Sequence, residues 1–327
     1  MSPRRNRALA LGLVGLGAGV AATAAYRGAR KYRALGELDM SELTLADDLE
    51  AIDVVVEDGS TIHGVEAGSG RPIVLLHGVT LSVATWAYQL AALHKEYRVI
   101  ALDARGHGQS KSALNGWGIE HMASDVSQVF EKLDLRDAIV VGHSMGGMIT
   151  QQMCLDFPDM ARERIAGTIL LSTAASPAQS VPGFNVINRR AMRPGSSAVA
   201  RAPRMGRWTP PAELSYAVAR LALGVDPDPR HVTHTRDMTL AMRPETISSL
   251  LPYVVGFDVR HRLKDYPVPA LVIVGSRDLL TPPRVAKPMA RLIPGAEFEV
   301  VSGGGHMLMM ERAEWLNERI DAFARDH

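Results

Sequence analysis

Gly142-His143-Ser144-Met145-Gly146 follows directly on the apolar run Ala138-Ile139-Val140-Val141, and the reading of this stretch decides the fold. A G-x-S-x-G pentapeptide closing a buried strand makes a turn so tight that the serine hydroxyl stands clear of its neighbours. The glycines at 142 and 146 sit where side chains would collide as the strand doubles back into a helix, and Gly147 lets that helix pack close. By composition alone such a pentapeptide arises by chance in roughly one chain in ten of this length. Its meaning therefore depends on what the rest of the sequence supplies.

A serine hydroxyl is a weak nucleophile until a base takes its proton, the base needs a third group to orient it, and the oxyanion needs backbone donors. Each requirement meets a candidate at the end of an apolar run. Pro72 to Leu76 reads as a buried strand followed by His77-Gly78-Val79, a loop that would aim the Val79 N–H at the oxyanion beside the N–H of Met145. Ala270 to Val274 is a second buried strand and ends in Gly275-Ser276-Arg277-Asp278. Glu297 to Val301 reads as a third strand and leads to Ser302-Gly303-Gly304-Gly305-His306. Asp278 and His306 thus stand on loops after two successive strands, in the chain order Ser, Asp, His.

A fourth segment, Asp103-Ala104-Arg105-Gly106-His107-Gly108-Gln109-Ser110, follows the strand Arg98 to Leu102. With the elbow and the His-Gly loop it makes the chain resemble the α/β-hydrolase fold family over about residues 51–175 and 263–327. The resemblance implies a mostly parallel eight-stranded sheet flanked by helices, with Ser144 as nucleophile, His306 as base and Asp278 as orienting acid. Some members place the acid after the preceding strand, but here Gly167 to Leu171 ends in Ser172-Thr173-Ala174-Ala175 without a carboxylate, which favours Asp278. His143 then reads as a packed neighbour, His107 as a loop residue hydrogen-bonded near the site, and Asp103 as a residue that fixes a turn. The expected activity is cleavage of a carboxylic ester of a lipophilic small molecule, as in an esterase or monoacylglycerol lipase. Two alternatives stay open: a C–C bond hydrolase or cofactor-free haloperoxidase of the same fold, and a hydrolase-fold binding protein without turnover. Serine at 144, where a dehalogenase or epoxide hydrolase would carry aspartate, argues against those two.

Composition bounds the rest. A chain of 327 residues with 46% hydrophobic content can bury one large core and an insertion. The net charge of +1 conceals an uneven distribution, because residues 1–33 hold seven Arg or Lys and no acid. No nucleic-acid-binding signature accompanies them. The single Cys154 forbids an intramolecular disulfide and reads as a buried, inert thiol. No CxxC or HExxH occurs, and His231 with His234 lacks further ligands, so neither a metal nor a cofactor is expected.

Residues 1–33 read as a basic-flanked membrane anchor whose apolar run, Ala8 to Tyr26, holds 19 uncharged positions. At about 1.5 Å per residue that run approaches the thickness of a bilayer, which makes membrane lipid an expected partner. A secretory signal peptide with an exit at Ala22-Thr23-Ala24 is the alternative. Arg4, Arg5 and Arg7 before the run and Arg27, Arg30, Lys31 and Arg33 after it leave no charge contrast to set topology. Gly17-Ala18-Gly19-Val20-Ala21-Ala22 mimics a dinucleotide loop but lacks the preceding strand and the following acid.

Residues 34–50 read as a linker, 51–175 and 263–327 as the two parts of the hydrolase core, and 176–262 as a helical cap. The cap reading rests on length, since a structureless loop of that size is foreign to a compact domain. Helices are expected over Glu213 to Leu223, closed by Gly224, over His231 to Met242, and over Glu245 to Val255. Residues 180–243 carry ten arginines, no lysine and four acids, a face suited to anionic headgroups or to solubility. Met238, Leu240, Leu250, Tyr253 and Phe257 are candidates for an acyl pocket wall or for helical core.

Overall fold

Eight strands form one sheet: β1 (Glu50–Val55), β2 (Thr61–Ala67), β3 (Pro72–Leu76), β4 (Arg98–Leu102), β5 (Ala138–His143), β6 (Ile165–Leu171), β7 (Ala270–Gly275) and β8 (Glu297–Val301). The spatial order is β1-β2-β4-β3-β5-β6-β7-β8, antiparallel at β1–β2 and β2–β4 and parallel from β4 onward. The computed structural model describes residues 32, 37–113, 116–177 and 212–327. The expected apolar helix over Ala8 to Tyr26 lies outside them, as do residues 178–211 of the expected cap. Among the described residues no helix is long and apolar enough to cross a membrane, so the structure gives the expected anchor no support.

The inner strands read as continuous apolar runs because the sheet is covered on both faces. Side chains alternate between two cores. Val74, Leu76, Ile100, Leu102, Val140, Leu170, Val272 and Val274 join one cluster. Ile73, Leu75, Val99, Ala101, Ile139, Val141, Ile169, Leu171, Leu271 and Ile273 join the other. Helix α1 (Ala87–Leu93) and the last helix of the chain cover the second face. Helices α2 (Ile119–Lys132) and α3 (Met145–Asp156) cover the first, followed by the short α4 (Pro158–Arg164). Helix α3 is buried almost all round, Gln151 among its buried residues, because its small and apolar side chains leave no polar face.

Among the described residues three cap helices follow β6: α5 (Ala212–Leu221), α6 (Pro229–Ala241) and α7 (Pro244–Gly256). Proline opens α6 and α7, where its missing N–H is unneeded, and the Asp228 carboxylate caps α6 through the Arg230 N–H at 2.8 Å. Leu250 and Phe257 belong to the main core, while Leu240 is exposed. Of the cap arginines, Arg230 is spent on Asp228 and Glu42 at 2.7 and 2.8 Å, and Arg236 lies over the Tyr216 ring at 4.6 Å. The last elements are α8 (Pro283–Leu292), α9 (Leu308–Glu311) and α10 (Ala313–Asp326). Within the stretch read as a linker, a 3₁₀ turn over Ser41–Leu43 buries Leu43 against Trp86 and Leu90 in the second core.

The Asp103–Ser110 loop is tied down by a buried cation. Arg105 gives Asp125 a two-pronged pair at 2.6 and 2.5 Å, and reaches Asp58 at 2.9 Å and the Gly116 carbonyl at 3.0 Å. Removing one side of such a pair strands the other in low dielectric. Arg105→Ala is expected to lower the free energy of unfolding in urea by about 3–5 kcal/mol. Arg105→Ala with Asp125→Ala should lose less than the two single changes added together.

Candidate functional site

All the expected site residues lie beyond the carboxyl ends of parallel strands, the edge at which open α/β sheets bind ligands. Ser144 follows β5, the His77-Gly78-Val79 loop follows β3, Asp278 follows β7 and His306 follows β8. Ser144 has φ 52° and ψ −112°, a left-handed conformation that costs a non-glycine residue on the order of 1–3 kcal/mol. Its peptide is held there from three directions. The Ser144 N–H donates to the Leu171 carbonyl at 2.9 Å, while its carbonyl accepts from the Thr173 hydroxyl at 2.6 Å and the Met148 N–H at 3.2 Å.

Two backbones press on this turn. A Cβ on Gly146 would lie 2.8 Å from the His77 carbonyl oxygen, so only glycine lets the elbow meet the β3 exit. A Cβ on Gly78 would lie 3.1 Å from Ser144 Cβ and 2.8 Å from His143 Nδ1. The Val79 loop is thereby brought against the serine. Val79 N–H has no acceptor among the described residues. Met145 N–H, first in α3, has no intrahelical one. His77 braces the same loop, accepting from the Ala104 N–H at 3.0 Å through Nε2 and donating from Nδ1 to the Gly78 carbonyl at 2.7 Å. Burial holds His77 neutral, with its pKa taken down to about 4.

Asp278 and His306 meet directly, His306 Nδ1 donating to Asp278 Oδ2 at 2.9 Å. A carboxylate only accepts, so the proton sits on Nδ1 and the lone pair on Nε2. Thr281 completes the acid's surroundings. Its hydroxyl donates to Oδ2 at 2.8 Å, and its N–H with that of Leu280 donates to Oδ1, each at 2.8 Å. Burial alone would raise the Asp278 pKa. The His306 ring and the Thr281 donors outweigh it and take it down to about 2. Asp278, His306 and Ser144 are all buried, at 2%, 5% and 8% exposure, so the Asp278 charge acts in poorly solvated surroundings.

His143 joins the two ends of the site. Its ring lies 4.7 Å from that of His306, and its Nε2 donates to the His306 carbonyl at 2.9 Å. Burial drives its pKa well down, so it packs as a neutral ring. Asp103 accepts from the Gln109 N–H at 2.9 Å within its own loop and from the Val83 N–H at 2.8 Å on the turn after β3. His107 Nδ1 bonds the Arg105 carbonyl at 3.2 Å. Cys154 is buried, and its thiol is pushed up to about 12. His231 turns to Tyr88 and His234 to the Ala84 carbonyl, and no group of three metal-binding side chains occurs among the described residues.

Sequence reading passed over Thr281, Thr173 and the Nε2 bond of His143. A threonine three residues after an acid signals a local side-chain turn, which makes Thr281 findable. Nothing local marks the other two.

Residues 71–313 match the α/β-hydrolase fold family. The chain belongs to that family. It is similar to the dihydrolipoyllysine-residue acetyltransferase component of the acetoin cleaving system of Pseudomonas putida, 31% identical over 82% of this chain and 68% of the relative. It is also similar to the non-heme chloroperoxidase CPO-A1 of Kitasatospora aureofaciens, 29% identical over 77% and 91%. Among solved structures, a thermophilic esterase from Thermogutta terrifontis superposes with a TM-score of 0.71 at 27% identity, over 85% of this chain and 98% of that one.

The Asp278 carboxylate sets an acid-stability prediction. Unfolded it binds its proton near 3.8, folded near 2, so the folded state holds fewer protons between those values. Its contribution is present above about pH 4 and lost as pH falls through about 2. The urea midpoint of the wild type should fall across that window, and that of Asp278→Asn should fall less.

Proposed function

We propose that the chain is a serine hydrolase that cleaves a carboxylic ester of a lipophilic small molecule through an acyl-enzyme. The Asp278–His306 hydrogen bond carries this reading. It holds the imidazole in the tautomer that leaves Nε2 to accept a proton, while His143, the residue before the strained Ser144, hydrogen-bonds the His306 carbonyl. Ser144 Oγ attacks the ester carbonyl carbon as its proton passes to His306 Nε2. The oxyanion is held by the N–H groups of Val79 and Met145. The intermediate collapses, and His306 returns the proton to the departing alcohol. His306 then takes a proton from water, whose oxygen attacks the acyl carbon, and returns that proton to Ser144 Oγ as the bond to the acyl carbon breaks and the acid leaves. Asp278 stays ionised and stabilises the transient imidazolium. No cofactor enters these steps.

The esterase neighbour supports the choice of bond. The lipophilic substrate and the membrane partner rest on the sequence, where the apolar run Ala8 to Tyr26 would hold the site near lipid. The chloroperoxidase relative keeps a cofactor-free haloperoxidase as the second reading.

Purified protein should label with a fluorophosphonate, and Ser144→Ala should not. On 4-nitrophenyl esters Ser144→Ala should lose on the order of 10⁴–10⁶ in kcat. Equal labelling of wild type and Ser144→Ala ends this reading, and halogenation outpacing ester cleavage favours the second one.

A further inference from the structure

The cap and the loop that carries His306 are sewn together behind the imidazole. The His306 N–H donates to the Ala222 carbonyl at 2.7 Å, and the Val225 N–H donates to the Gly303 carbonyl at 3.0 Å. Between these two bonds lies the half-buried Glu311 carboxylate, at the end of α9. It accepts from the Gly224 N–H at 2.6 Å, from the Gly305 N–H at 3.1 Å and from the Met307 N–H at 3.1 Å. One carboxylate thus takes N–H groups from the cap exit and from both neighbours of His306. Burial pushes its pKa up and these three donors pull against that rise.

The geometry is closely set. A Cβ on Gly224 would lie 2.7 Å from the Gly305 nitrogen and 2.8 Å from the Gly304 carbonyl carbon. Only an acceptor with two oxygens can collect three N–H groups at one point, and a glutamine there would turn an NH₂ toward donors. The support is rigid, since Leu308, Met309 and Met310 on the same turn are all buried in the second core.

We propose that Glu311 is a positioning residue that joins the cap to the candidate base, making residues 222–225 and 303–307 one body. Where the cap sits then sets where the His306 ring sits. This rests on His306 being the base, as proposed above. An acyl group seated against the cap would be felt at the imidazole through this seam, without touching it.

The test uses the full chain with 4-nitrophenyl butyrate. Working sites are titrated to completion with a fluorophosphonate, and kcat is expressed per titrated site. Misplacing a catalytic group by ~1 Å can cost up to 10²-fold. Glu311→Gln should lower kcat per titrated site on the order of ten- to a hundredfold with KM little changed. Gly224→Ala, which pushes the cap exit off the same loop, should do likewise. The double variant should lose no more than roughly twofold beyond the worse single one, because both break one seam. A role in folding alone would reduce the number of titratable sites and leave kcat per site at the wild-type value. That result, or losses that multiply in the double variant, overturns the proposal. If Glu311→Gln does not fold, Gly224→Ala decides on the same kcat per site. A wild type that takes up no probe overturns the serine-hydrolase reading first and this inference with it.

Discussion

The carboxyl edge of the sheet depends on backbones approaching closer than any side chain permits. Gly146 lies against the β3 exit, Gly78 against Ser144 and His143, and Gly275 against Gly304 and Gly305. These contacts set the separations of the loops after β3, β5, β7 and β8, because a parallel sheet fixes where strands end but not how far their loops stand apart. Strain at Ser144 belongs to the same constraint. Its unfavourable backbone is tolerated because the Leu171 carbonyl, the Thr173 hydroxyl and the Met148 N–H overdetermine it.

Burial then sorts the charges. His77, His107 and His143 are all held neutral by desolvation, and each uses a ring nitrogen to brace a backbone carbonyl. Asp278 is buried as deeply yet stays ionised, because an imidazole N–H, a hydroxyl and two backbone N–H groups converge on it. Glu311 has backbone N–H donors but neither the hydroxyl nor the imidazole, and its pKa rises. The contrast between these two carboxylates follows from the donors each collects rather than from depth.

Much of this was legible early, for particular physical reasons. The strands β3 and β4 begin and end where the predicted runs do, since burial on both faces demands hydrophobicity and the loops demand its end, whereas β8, at the sheet edge, is mostly exposed or half-buried. Ser144, Asp278 and His306 were legible as candidates because each stands on the loop that follows such a run. Glu311 was not. It stands on a turn of helix like many surface glutamates, and its acceptors face N–H groups of Gly224, 87 residues away in sequence. The candidate acyl-wall residues Leu250 and Phe257 show the converse, because apolar residues at helical spacing look the same lining a pocket or filling the main core.

The sequence by itself determined the fold class and the candidate residue types at each strand end, because those follow from local hydrophobic runs and turn chemistry. The tertiary structure alone decided which acid reaches which histidine, which nitrogen of His306 is left free, and how the cap is fastened to it. Those are distances and directions between segments far apart in sequence, and they arise only when the sheet brings the segments to one edge.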